Sequence, residues 1–411
     1  MIASLYAGIS GLSANATAMT VIGDNIANVN TTAFKSNRSH FANILSTSLG
    51  GESATAGVGR GVEFWGVSAQ WTQGSLENST SATDLGINGK GFFMVQDTSG
   101  SNFYTRAGNF TFDKEGFLVN PDGHQLQGYQ IDTDGNIGSI TDIYIPGERV
   151  SPPAATSEFN FDINLNAGAQ TGDTYTTAQT VYDSLGNAVP VTFTFTRQAA
   201  AQTWTVTGAI PASAGTAVTF GGNASMNIVF DDAGIMTSPA ANVTTALTLT
   251  NGADTPLSMN WAFEDANGNS YGDVTGYASA SGTTFQYQDG YPAGMLRGIS
   301  VDETGIVTAS YSNGEMTPLY QIALVDFPSY DGLTKLGKNL YAESLASGQA
   351  LVGTAGTGRL GSVAPNSLEM SNVDLAEEFV KMITTQRAFQ ANSKVITSSD
   401  EILQELINIK R

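Results

Sequence analysis

Both ends of this chain carry apolar residues at helical spacing, and almost nothing between them does. Leu5, Ile9, Leu12, Ala16, Met19, Gly23 and Ile26 alternate spacings of four and three, the rhythm of a coiled-coil seam. Near the other end Met382, Phe389, Ile396 and Leu403 recur at every seventh residue, with Ile383 beside them. Phe379 and Ile407 occupy the alternate seam positions, which Gln386, Ser393 and Asp400 interrupt. A helix with one apolar stripe must bury it against something. The expectation is a helical inner domain made of residues 1–33 and 371–411, whose stripes bury against each other and against copies in neighbouring molecules.

The two stretches are not equivalent. The first has Asp24 as its only charged side chain and holds Gly8, Gly11 and Gly23 among small residues such as Ala3, Ala7, Ala14 and Ala18. Each such glycine costs roughly 1 kcal/mol of helix propensity, so this helix is marginal alone in water. It is expected to be largely disordered in a free monomer and to order on association; docking on its own domain is the alternative. The C-terminal stretch, richer in helix formers, reads as the scaffold.

The 411 residues exceed one ordinary core, so several domains are expected. A net charge of −20 argues against a nucleic-acid partner, which requires a basic footprint. The absence of cysteine excludes disulfides, thiolate nucleophiles and thiolate metal sites. No run approaches the roughly 18–20 apolar residues of a membrane span, so no membrane insertion is expected. The N-terminus lacks a secretory pattern, with no Lys or Arg before Lys35.

Between the helices the chain repeats one device. Asp113–Gly116, Asp183–Gly186, Asp231–Gly234, Asp265–Gly268 and Asp302–Gly305 are all Asp-x-x-Gly, mostly flanked by β-branched or aromatic residues. This is the chemistry of a hairpin with a type I turn followed by a left-handed glycine. The fold class expected is multidomain and mainly β, in antiparallel sandwich-like or barrel-like units, with paired N- and C-terminal α-helices. Pro152-Pro153 and the stretch from Ser279 to Thr284 bracket residues poorer in charge and richer in Thr, Ala and Asn. Residues 150–282 therefore read as an inserted outer β domain, and 71–149 with 283–357 as the β domain around it. Residues 34–70 and 358–370 read as glycine-rich connections, with Gly57, Gly59, Gly61, Gly356, Gly358 and Gly361 as junction residues.

Strong catalytic patterns are missing. Asp132 to Asn136 resembles the start of a calcium loop, but Ile137 and Ile143 stand where such a loop needs glycine and a bidentate glutamate. Gly356-Thr-Gly-Arg-Leu-Gly361 has dinucleotide-binding spacing, yet Pro365 follows where a helix is required. His40 and His124 are the only histidines, too few for a multi-histidine metal site. No catalytic residue, cofactor or metal is expected, and an enzyme is disfavoured.

Family resemblance enters through specific motifs. Ser4-Leu-Tyr-Ala-Gly-Ile-Ser-Gly-Leu12, Asp24-Asn-Ile-Ala-Asn-Val-Asn-Thr31 and Phe34-Lys35 resemble the N-terminal motif of bacterial flagellar rod and hook proteins, with Ala33 where that motif carries glycine. Leu85-Gly-Ile-Asn-Gly-Lys-Gly-Phe-Phe93, Tyr104-Thr-Arg-Ala-Gly-Asn-Phe110 and Gly116-Phe-Leu-Val-Asn-Pro-Asp-Gly123 resemble the family's β-domain motifs. Asn366-Ser-Leu-Glu369, Ser371-Asn-Val-Asp-Leu-Ala376 and Thr385-Gln-Arg-Ala-Phe-Gln390 resemble its C-terminal motif. The large middle insertion, Gln288-Asp-Gly-Tyr-Pro-Ala-Gly294 and Tyr311-Ser-Asn-Gly314 look like the hook branch.

The resemblance implies a self-assembling subunit of a flexible tubular helical polymer that couples rod to filament. It implies contacts with rod, hook cap and hook–filament junction proteins. It further implies export without a cleavable signal peptide through the flagellar type III apparatus, to the hook outside the cell surface. A straighter distal rod component and a β-rich carbohydrate-binding surface protein remain as alternatives.

Overall fold

The computed structural model describes residues 2–44, 47–48, 57–58, 61–132, 135–263 and 274–409. Gly59 and the Asp265–Gly268 turn lie outside the described residues, as does the side chain of Ile407. The chain forms two compact units. The first comprises Met1–Gly147, Gly298–Ala309 and Thr317–Arg411; the second comprises Glu148–Arg297 and Ser310–Met316. The molecule is mainly strand, with one long helix at each end.

In the first unit, α1 spans Ile2–Ala27 and α2 spans Leu375–Ile409. Asp374 caps α2: its carboxylate accepts the amides of Ala376 and Glu377 at 2.8 and 3.2 Å. Glu377 and Glu378 then place negative charge in the first turn, where the helix dipole favours it. α1 ends at Asn28, whose backbone amide and side chain both donate to the Asp24 carbonyl, at 3.1 and 2.9 Å. The two helices run antiparallel, Asn25 lying at Glu378 and Gly8 at Ile396.

The β part of this unit is built on the strand Met316–Asp326, which is continuously buried from Leu319 onward. It pairs antiparallel with Phe92–Phe93, Gly128–Gln130 and Leu351–Thr354. Phe92, Tyr104, Val325, Phe327, Leu333 and Tyr341 form its core, with Trp71 and Tyr330 packed against them. Aromatic edges meet faces there, as with Tyr104 and Phe327 at 4.8 Å, the arrangement that ring quadrupoles favour. Two short pairings carry the chain back toward α2: Ser362–Pro365 on Leu85–Asn88, and Ser367–Glu369 on Leu76–Asn78.

The second unit is a two-sheet sandwich. One sheet carries Thr174–Tyr182, Ala188–Arg197, Thr203–Ala209, Ser225–Phe230 and Met236–Ser238 in that order. The other centres on Glu158–Asn164 and includes Leu257–Trp261, Val243–Leu249 and Gly215–Phe220. Along Ala188–Arg197 buried and exposed side chains alternate through Phe195, as a strand with one covered face requires. Phe159, Phe161, Phe193 and Trp261 stack between the sheets with centroids 5.1–5.7 Å apart.

Four of the Asp-x-x-Gly turns share one geometry. The carboxylates of Asp113, Asp183, Asp231 and Asp302 each accept the amide four residues on, at 2.8 Å in every case. Gly116, Gly186, Gly234 and Gly305 take positive φ between 77° and 101°, a conformation glycine adopts without strain. Asp97–Gly100 and Asn120–Gly123 are built the same way, although sequence reading did not single them out for this role.

Three expectations change. Residues 34–70 are not only a connection: Asn37–Asn43 and Val62–Ala69 pair as an antiparallel ribbon. Gly282–Gln288, grouped with the surrounding β domain from residue 283 onward, pairs along Glu158–Asn164 and belongs to the second unit. The Gly356–Gly361 segment is a closed turn rather than a loose junction. Gly356 donates to the Gly361 carbonyl at 2.9 Å, and Gly361 donates to Lys90 at 2.8 Å.

Candidate assembly interface

The face that α1 turns to α2 is the small-residue stripe. Gly8, Gly11, Ala14, Ala18, Ile22 and Asn25 are buried and follow spacings of three and four. Backbones approach closely there: a Cβ on Gly11 would stand 2.8 Å from the Asn392 amide nitrogen, and one on Gly8 would stand 3.1 Å from Ile396. The larger residues expected to form the seam fall to the side. Leu5, Leu12, Met19 and Ile26 are half-buried, and Ile9 is 48% exposed.

On α2 the less exposed positions include Glu378, Met382, Thr385, Phe389, Asn392, Ile396, Ser399 and Leu403, a sustained four-three alternation. The row through Met382 is the one expected. Its companion row lies one residue earlier than expected, on Glu378, Thr385, Asn392 and Ser399, all polar. Phe379 is thereby displaced to 49% exposure, with Val380 at 61% and Ile383 at 53%. Sequence periodicity finds the helix but does not decide between adjacent registers when one of them is polar. The signal for the polar register is Asn392, whose side chain faces the gap left by Gly11.

Beneath the helices lies a buried ion cluster that sequence reading did not identify. Glu369, with no side-chain exposure, meets the Lys35 ammonium at 2.6 Å and the Arg106 guanidinium at 2.9 Å. Arg106 also donates to the carbonyls of Gly91, at 2.9 Å, and Gly89, and stands over the Phe92 ring. Lys35 donates to the Thr72 carbonyl at 2.8 Å, and Gly74 donates its amide to Glu369 at 3.0 Å. Burial holds the Lys35 ammonium below the usual lysine range, against the pull of Glu369. The cluster takes one residue from each motif group quoted above: the segment after α1, the β domain and the segment before α2.

Backbone links complete the clamp. Ala33 donates to the Glu369 carbonyl at 2.7 Å, and Ser36 donates to the Asn372 side chain at 2.7 Å. Asn372 in turn donates to the carbonyls of Gln70 and Thr72. Asn25 reaches from α1 to both the Asn37 carbonyl, at 2.8 Å, and Glu378, at 3.2 Å.

Of the junction glycines, Gly61 and Gly361 serve close approach. Gly61 has φ 105°, and a Cβ there would overlap Ser10 of α1. A Cβ on Gly361 would stand 2.3 Å from the Asn88 carbonyl. Gly356 and Gly358 have φ of 74° and 59°, and Gly57 lies in a two-residue strand opposite Thr47–Ser48. The structure thus brings Gly61 to the helix pair and leaves Gly356–Gly361 on the β part, where Arg359 meets Asp326 at 3.3 Å.

Comparison with known proteins covers most of the chain. Residues 5–35 match the flagella basal body rod protein family, and 86–166 match the flagellar hook protein FlgE/F/G D1 domain. Residues 166–291 match the flagellar basal body protein FlaE D2 domain, and 364–409 the C-terminal region of flagellar basal body rod FlgEFG proteins. The chain is 34% identical over 451 residues to the flagellar hook protein FlgE of Borreliella burgdorferi, covering 100% of both. It is 36% identical over 421 residues to that of Escherichia coli, covering 98% of both. The crystal structure of the Helicobacter pylori flagellar hook protein FlgE2 matches at TM-score 0.51 and 16% identity, covering 72% of this chain and 100% of that one, a likeness of fold.

Proposed function

The chain belongs to the flagellar hook protein family, and we propose that it is a structural subunit of a bacterial flagellar hook, polymerising with itself into a flexible tube that transmits torque. Support comes from full-length similarity to relatives named as hook proteins and from the domain matches to the same family. The family is structural, and the reading requires no bound cofactor or metal.

The observation that carries the assembly role is the uncovered apolar surface of the helix pair. Ile9, Phe379 and Ile383 from the expected seam stand in solvent together with Tyr6, Val380 and Ile402. Large apolar side chains left uncovered at both ends of a helix pair mark interaction surface. A heterologous contact that does not close generates a filament. In the polymer Leu5, Leu12, Met19, Ile26, Met382, Phe389, Ile396 and Leu403 complete the interface from the half-buried rows. On the same reading the subunit meets rod, hook cap and hook–filament junction proteins, and reaches the cell exterior through the flagellar type III apparatus.

The test is Phe379→Asp in the full chain. Its side chain is half exposed, so the monomer keeps its thermal midpoint. A carboxylate buried in the polymer raises the concentration needed for assembly at least about tenfold, equivalent to 1.4 kcal/mol. Assembly at the unmodified concentration refutes the role given to this face.

A further inference from the structure

The ribbon Asn37–Asn43 and Val62–Ala69 is a two-stranded sheet with no third strand among the described residues. Such ribbons are marginal in water unless another element supports them. Support on one side comes from α1. Asn37 is bonded to Asn25 at one end, and at the other the Val62 amide donates to Ser10 at 3.2 Å. The lengths agree: seven residues of strand reach about 23 Å, and fifteen of helix about the same.

The ribbon breaks register at one place. His40 pairs with Gly66 and Phe41 with Phe64, so Trp65 is the extra residue of a β-bulge. Trp65 is 80% exposed. The chain's three other tryptophans are packed: Trp204 and Trp261 in the sandwich core, and Trp71 against Phe92, Tyr330 and Tyr341. Phe41, Phe64 and Val67 are exposed as well, the two rings meeting edge to face at 6.1 Å. A bulge re-aims a side chain and is a built feature of a strand; tryptophan is the side chain most enriched among interface anchors.

We infer that the ribbon is an assembly surface and that Trp65 is an anchor inserted into a second copy of this chain. The inference rests on the self-assembly proposed above and extends it to a surface outside both helices. Continuity favours a second copy. Gly61 packs against Ala7 and Ser10, and Tyr6 and Ile9 beside them are exposed, so apolar surface passes from α1 onto the ribbon. Arg38 and Glu63 supply charge around the aromatic group, the polar rim of a protein–protein contact. The net charge of −20 disfavours anionic lipid or nucleic acid as the occupant.

The experiment uses full-length chain, unmodified and as Trp65→Phe, with tryptophan emission and acrylamide quenching read in monomer and polymer. In the monomer the unmodified chain carries a red-shifted, readily quenched component that Trp65→Phe lacks. In the polymer that difference disappears, because Trp65 is covered. Trp65→Ser raises the assembly concentration at least about tenfold, as loss of an anchor does, and leaves the monomer's thermal midpoint unchanged. A polymer in which Trp65 stays quenchable overturns the inference alone, as does Trp65→Ser assembling normally. A Trp65→Ser monomer that melts earlier overturns it too, by showing that the side chain packs within its own chain. An unmodified chain that forms no polymer overturns the self-assembly reading and this inference together.

Discussion

Glu369 faces two cations from a position without solvent, so stability at this corner depends on which charge is removed. Glu369→Gln leaves Lys35 and Arg106 buried and unpaired, a loss of about 3–5 kcal/mol. The loss depends on pH. Glu369 raises the Lys35 pKa, so the substitution pushes it further below 10.5, the ordinary value. Between the folded and unfolded pKa values the unfolded chain holds more protons, and stability therefore rises with pH. The deficit of Glu369→Gln against the unmodified chain therefore shrinks as pH rises toward the ordinary lysine value, because the variant's buried Lys35 gives up its proton more readily; thermal midpoints across an alkaline pH series check it. The cluster was not legible in the sequence because its partners are 263 and 334 positions apart and none lies in a helix or a long strand. The aspartate turns were legible because donor, acceptor and glycine fall within five residues.

At the scale of elements, two glycines of α1 separate packing from propensity. Gly11 faces Asn392 at close range, whereas a Cβ on Gly23 would meet nothing within 4 Å. Gly23→Ala therefore gains up to about 1 kcal/mol of helix propensity. Gly11→Leu gains similarly in propensity but forces the helices apart, a net loss of about 1–3 kcal/mol. Helical circular dichroism during thermal unfolding distinguishes the two, and a Gly11→Leu chain as stable as Gly23→Ala contradicts the close approach. Both helices were visible as a 3.6-residue period. Their facing was not, because α1 has two stripes: large residues that obey the seam rule, and small ones that let backbones meet. Periodicity ranks the first by hydrophobicity, while within one chain close contact selects the second. Gly8 and Gly11, read as a weakness of α1, are where it fits α2.

For the whole molecule, removing residues 1–28 deletes α1 and uncovers the α2 rows around Phe389 and Ile396. Both β regions keep their own cores. The truncated chain is expected to retain its strand signal in circular dichroism and to form no tubes in electron micrographs. Normal tubes contradict the role given to α1. The mainly β character and the helical ends could be read from the sequence. The division at Glu148 was approached only through Pro152-Pro153, because a sheet's membership is settled by pairing partners distant along the chain. Finally, the clamp joins the segments at residues 33–36 and 369–372 side by side through hydrogen bonds. A helix hung from a single strand can spin about the single bonds of its tether. A pair hung from two cross-linked strands cannot turn without shearing those bonds, so a twisting moment applied at the β part is carried into both helices at once.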